Sequence, residues 1–142
     1  MSEARQLAEQ HVNAFNERAW GRAPALYAPD LVMTEPAGTT HGIDPFLAHA
    51  RAFVTAMPDS RMEVTSLIES GSHAVVEGVY TGTHTGPLAT PQGEVPPTGR
   101  KLSLPLCDVF EIAAGRIMRI RAYYDQMTIA AQLGLVPEPA AG

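Results

Sequence analysis

Asp108 is the residue in this chain whose setting first calls for a chemical explanation. It lies in a run where Leu102, Leu104, Leu106, Phe110 and Ile112 alternate with other residues, so a period of two puts its carboxyl on an apolar face. A carboxylate there is costly and must be neutral, hydrogen-bonded or paired. Two roles meet that condition: a carboxyl of raised proton affinity that moves protons, or a structural carboxyl bonded to backbone or to a neighbouring tyrosine. His84 alternates onto the face of Val76 and Tyr80. It either lines a pocket mouth with Tyr80 or sits at the rim and bonds the following loop. The five histidines, His11, His41, His49, His73 and His84, lack ligand spacing such as His-Glu-x-x-His, so no metal is expected. His11 and His49 fall on helices and read as surface or satisfied residues. Cys107, the lone cysteine, excludes an internal disulfide and a cysteine-rich zinc site, and reads as a small hydrophobe facing away from Asp108.

The elements that must position these groups are legible from periodicity. Ala4, Leu7, Ala8, Val12, Phe15 and Ala19 recur at helical spacing, with Ser2 as the expected N-cap and Gly21 as the stop. A short helix over 23–27 and a strand over 31–34 follow. A third helix is expected over 45–57, with Asp44 as cap, Pro45 in the first turn and Pro58 beyond the end. From residue 61 the period becomes two, giving strands over 61–69, 73–84, 102–112 and 116–124. Residues 85–100 are dense in Gly, Pro and Thr and read as one long loop. In the last strand Met118, Ile120, Ala122 and Tyr124 form the apolar face, and Asp125 falls out of phase with it. A closing helix is expected over 128–133, with Gly134 as its stop. Helices followed by hairpin-linked strands argue for an α+β fold, with three N-terminal helices on one side of a curved antiparallel sheet. The other side then encloses a pocket, with Phe15, Tyr80, Phe110, Ile120 and Tyr124 expected to meet substrate.

Length and composition fit one domain over 1–136, with 137–142 as a flexible tail. At 142 residues and 45% apolar content the chain buries a real core without a metal or disulfide. Net charge is −5 and the ten Lys and Arg are scattered, which argues against nucleic acid. No apolar run reaches the roughly 18 residues of a membrane span, and the first residues lack the core of a signal peptide. A cytoplasmic protein is expected.

The Glu35-Pro36 pair, the loop GTHTGPLATPQGEVPPTGR and the closing block DVFEIAAGRIMRIRAYYDQMTIAAQLG together resemble the SnoaL-like polyketide cyclases of the NTF2-like superfamily. The resemblance covers nearly the whole chain. It implies a cone-shaped fold, a deep apolar pocket for an apolar small molecule, no cofactor, and a homodimer or homotetramer. It also implies aldol-type ring closure through an enolate, with Asp125 as the general acid/base. The alternative for Asp125 is an exposed acid capping the last helix. In the related ketosteroid isomerases an oxyanion-stabilising aspartic acid, kept protonated by its apolar site, matches Asp108. Their general base matches Glu35, whose alternative is a strand-end acid facing solvent. Their oxyanion tyrosine corresponds to Phe15, which counts against steroid isomerisation and leaves Tyr123 or Tyr124 as substitute donors. Epoxide-hydrolase relatives place an arginine where this chain has Leu106. A non-catalytic binding module is the reading from another class.

Overall fold

The computed structural model describes residues 3–90 and 93–136; the expected cap Ser2 and the tail 137–142 lie outside them. Helix α1 (Glu3–Asn16) buries Ala4, Leu7, Ala8, Val12 and Ala14, the stripe its spacing dictates. It ends before Gly21. Arg18 takes a left-handed backbone (φ 57°), and Ala19 N–H donates back to Ala14 O at 2.8 Å, a Schellman-type stop. The Arg18 guanidinium holds that strained turn by donating to Phe15 O at 2.9 Å and Ser60 O at 2.6 Å.

A 3-10 turn (Trp20–Arg22) and α2 (Ala23–Leu26) lead into β1 (Tyr27–Glu35), which starts earlier than its apolar run suggests. Pro29 is tolerated because the register of β1 slips between Tyr27 and Val32. β1 turns into β2 (Gly38–His41), a short hairpin that periodicity did not reveal. Helix α3 (Ile43–Ala56) is preceded by Gly42 at its N-cap, so Asp44 sits inside the first turn and is not the cap.

The remaining strands are β3 (Arg61–Ser70), β4 (His73–Thr83), β5 (Leu88–Thr90), β6 (Gly93–Val95), β7 (Lys101–Ala113) and β8 (Arg116–Tyr123), followed by α4 (Gln126–Gln132). Six of the strands form one sheet in the order β2-β1-β8-β7-β4-β3. It is mixed and not wholly antiparallel, because β1 runs parallel to β8. Close backbone approach lets it curve. A Cβ at Gly78 would stand 2.4 Å from Glu63 O, beside the register slip of β3 between Val64 and Ser66.

Helices α1 and α3 cover the inner face, and α4 is tied to β7 by Gln132, which accepts from Ser103 N at 2.7 Å and donates to Ser103 O at 2.9 Å. Along β7 the alternation holds as read: Leu102, Leu104, Phe110 and Ile112 are buried. Along β8 it does not. Glu111 pairs with Arg119 but Ile112 pairs with Ile117, so Met118 is a bulge residue, 43% exposed, and Ile117 takes the core position. Beyond the bulge Ile120 and Ala122 point inward as expected.

The long loop carries its own small hairpin, β5–β6, and is docked. Thr85 and Gly86 N–H both donate to Ala56 O at the end of α3, at 3.1 and 3.0 Å. No helix among the described residues is long and apolar enough to cross a membrane.

Candidate active site

A cavity of about 140 Å³ lies between α1, α3 and the inner sheet face. It is on the helix-covered side of the sheet and not on the opposite side as expected, because the curved sheet wraps toward the helices. From α1 come His11, Val12 and Phe15, each a helical turn or less apart on one face. Helix α3 contributes Phe46, His49, Ala50 and Phe53. The sheet closes the far wall with Tyr80 of β4, Leu104, Leu106 and Asp108 of β7, and Ala122 of β8. Tyr124, just past β8, completes it.

Among the described residues Asp108 is the one carboxylate in this wall, and no lysine or arginine lines it. It sits mid-sheet, opposite Val76 on one side and Ala122 on the other. Its side chain is half-buried and lines the cavity. Burial pushes its carboxyl up to about 7. Among the described residues nothing hydrogen-bonds that carboxyl, so the structural alternative has no bond to rest on. With no hydrogen-bond partner among the described residues, the carboxyl is open to what enters the cavity.

His11 lies over Phe110, ring centroids 4.9 Å apart, and Phe110 is the next inward residue along β7 from Asp108. Its Nδ1 is 2.6 Å from the Tyr27 hydroxyl. Burial lowers its pKa to about 4, so the ring is neutral near pH 7. Tyr27 is held protonated by burial and by the nearby charge of Asp108.

The Tyr124 hydroxyl donates to Glu35 Oε2, which also accepts from Ala37 N at 3.1 Å. Burial, then the bond to Glu35, raises the Tyr124 pKa. The tyrosine ring is in the wall, while Glu35 stands behind it as its anchor. Tyr80 contributes its ring, and burial pushes its hydroxyl up to about 12.

Of the expected substrate contacts, Phe15, Tyr80 and Tyr124 line the cavity. Phe110 and Ile120 do not; at 0% and 1% exposure they pack beneath it as core. His84 is also outside. It is fully buried and pins the long loop: its Nδ1 is 2.9 Å from Thr98 Oγ1, and its backbone N–H donates to Arg100 O at 2.8 Å. Tyr123 is exposed, so only Tyr124 of that pair reaches the site.

Asp125 is a correction. It is exposed, is absent from the cavity wall, and caps α4 by accepting from Met127 N at 2.9 Å and Thr128 Oγ1 at 3.3 Å. The reason is parity: with Ala122 and Tyr124 facing in, the next residue leaves the sheet at the turn into α4. Asp125→Ala should therefore cost about 1 kcal/mol of stability, the usual effect of losing an N-cap. Melting curves check the loss, and turnover should stay within a few-fold of the parent, about 1 kcal/mol of barrier or less.

Sequence reading missed His11 and His49. The available signal was spacing: His11 is one helical turn before Phe15, and His49 one turn before Phe53, whose ring it meets at 5.1 Å. Among the described residues no group of three or more His, Cys, Asp or Glu side chains is placed to hold a metal ion.

Comparison with known proteins agrees with this architecture. IdmH of Streptomyces antibioticus, a provisionally assigned polyketide cyclase, superposes with a TM-score of 0.77 at 25% identity, covering 91% of this chain and 96% of IdmH. TsrD of Streptomyces laurentii superposes with a TM-score of 0.81 at 25% identity over 94% of this chain and 96% of TsrD. An M. tuberculosis epoxide hydrolase of the LEH type shares the fold at 18% identity and a TM-score of 0.70, over 94% of this chain and 90% of its own. A search of curated proteins gave no match. The sequence profile of the SnoaL-like polyketide cyclases matches residues 5–133, and with that span the chain belongs to the SnoaL-like polyketide cyclase family.

Proposed function

We propose that the protein is a cytoplasmic general acid/base enzyme that closes a ring on an uncharged polyketide-type ketone, with Asp108 as the proton-transfer group. The observation that carries this is the unbonded, high-pKa carboxyl in an otherwise apolar cavity. Ionised Asp108 takes a proton from a carbon flanked by carbonyls, and the C–H electron pair becomes an enolate. The enolate carbon attacks a second carbonyl of the same molecule, and the resulting alkoxide takes the proton back from Asp108. Nothing is consumed, so the step calls for no cofactor. The cavity size supports binding of a ring of the substrate, since an apolar void of about 150 Å³ takes a benzene-sized guest. The absence of cationic residues from the wall favours neutral substrates over carboxylates.

The direct test is exchange of the α-protons of 2-tetralone in D2O, followed by proton NMR. Catalysed exchange that persists after exhaustive chelation is expected. Saturable binding of the ketone with no exchange by the wild type would instead make this a binding module. The Arg that an epoxide hydrolase would need is absent from the wall, where Leu106 stands next to Asp108.

The outer sheet face supports self-association. Val75 pairs with Val109 and Val79 with Pro105, beside Tyr123, which is 55% exposed. A homodimer or homotetramer is expected by analytical ultracentrifugation at micromolar concentration; a monomer there rules this face out as a stable interface.

A further inference from the structure

The site as described has a base but no named group to hold the enolate oxygen. Ionised oxygen in an apolar cavity needs a preorganised donor. The candidates in the wall are few. The Tyr124 hydroxyl is committed to Glu35. The Tyr80 hydroxyl is sealed from solvent and cavity alike. His49 packs edge-on against Phe53 at the α3 side. His11 is different because its two nitrogens have different surroundings.

Nδ1 of His11 faces the Tyr27 hydroxyl. That hydroxyl has no other hydrogen-bond partner among the described residues. If Nδ1 carried the proton and donated to Tyr27, the buried O–H of Tyr27 would have nothing to donate to, a cost of about 1–3 kcal/mol. The favoured arrangement has Tyr27 donating to Nδ1. A neutral imidazole then carries its proton on Nε2. Nε2 bonds to no described residue, yet it is not among the sealed polar atoms, which are Thr40 Oγ1, Tyr80 Oη and His84 Nε2. The ring is packed against Tyr27, Phe46 and Phe110 and borders two voids: the cavity that holds Asp108 and a smaller one of about 30 Å³ toward Trp20 and Leu26. The larger is the one with a carboxyl for the ring to work beside.

We propose that His11 is a catalytic residue, donating its Nε2–H to the enolate oxygen formed when Asp108 removes the carbon proton, and that Tyr27 is a positioning residue which fixes the His11 tautomer. This rests on the general acid/base reading of the same cavity. The division of labour is chemically consistent. A neutral imidazole stabilises the oxyanion without giving up its proton, and a cation would pair with Asp108 and weaken it as a base. The low proton affinity of the buried ring keeps it neutral across the working range. The proton balance is unchanged: it travels from carbon to Asp108 and on to the product oxygen, while the His11 proton stays on Nε2.

The tautomer is measurable without any substrate. In protein labelled with 15N-histidine, long-range 1H–15N correlation at pH 7 should show His11 with a protonated Nε2 and an unprotonated Nδ1. Tyr27→Phe should convert that signature to a mixture of tautomers. With 2-tetralone exchange as the assay, His11→Phe should lower kcat by roughly 100- to 1,000-fold, the usual effect of losing one oxyanion donor. His11→Gln, which returns an N–H, should recover part of the loss. Tyr27→Phe should lower kcat less and leave KM nearly unchanged. Affinity for 2-naphthol, whose phenolate mimics the enolate, should fall in His11→Phe at least 10-fold, about 1.4 kcal/mol, and this reading decides the matter if 2-tetralone is not turned over. An Nδ1-protonated or cationic His11 in the wild type, or a folded His11→Phe with full kcat and full naphthol affinity, overturns the proposal. Full exchange by Asp108→Asn would remove the base assignment alone, because the tautomer spectrum and the naphthol measurement do not depend on it.

Discussion

Asp108→Asn is expected to lower the rate of enolisation and ring closure by about 100- to 10,000-fold, the range typical for removing one general base. The amide has the shape of the carboxyl and cannot accept the proton, so substrate affinity should change far less than kcat. In the parent the rate should rise with pH and level off above about 7, because only the ionised carboxylate is a base and burial has moved its titration there. A rate already flat from pH 5 upward would mean that the group in control is an ordinary exposed carboxylate. The sharpest contrast is with Asp125→Asn. A dead Asp125→Asn beside a fully active Asp108→Asn would put the chemistry on the α4 cap, against the placement of both residues.

The same substitution should make the protein more stable, but only where Asp108 is charged. Its carboxyl titrates near 3.8 in the unfolded chain and near 7 in the folded one. Between those values the folded state holds a proton that the unfolded state has lost, so stability falls as pH rises through the window. Below about 3.8 no charge is buried and nothing is lost; above about 7 the loss is complete. The interval corresponds to as much as roughly 4 kcal/mol. Asp108→Asn removes this titration. Relative to the parent its Tm should gain on the order of 10 °C at pH 8 compared with pH 4. The cost of burying the amide is the same at both pH values, so the difference between them reports the charge alone. An equal Tm difference at both values would show that Asp108 is not ionised against a penalty, and the general-base reading would lose its physical basis. A gain in stability coupled to a loss of rate is the signature expected of a strained functional group.

What periodicity can report, it reported. Residues 102–112 alternate because one face of a strand is buried, and that local pattern placed Asp108 inward correctly. The same holds for the apolar stripe of α1 and for the order of helices before strands, from which the α+β class follows. Phe15, Tyr80 and Tyr124 line the cavity. Phe110 and Ile120 do not, because alternation says which face a side chain takes and not whether space or core lies beyond it.

The rest was decided by contacts between residues far apart in the chain. The bulge at Met118 exists because β8 must stay in register with both β7 and the parallel β1, and no local signal marks it. Glu35 became the anchor of Tyr124 across 89 positions of sequence. Of the two readings open for His84, pocket mouth or partner of the following loop, the second holds because Thr98 folds back onto it. His11 read as an ordinary helix residue until Tyr27, Phe46 and Phe110 closed around it. Residue type and spacing establish which residues are apolar, which faces they form, and that one carboxyl is forced among them. Packing settles which face borders a cavity, which polar atoms are satisfied and which remain open to a ligand. Periodicity is a property of neighbours along the chain, whereas desolvation and hydrogen-bond satisfaction depend on every group that packs around an atom.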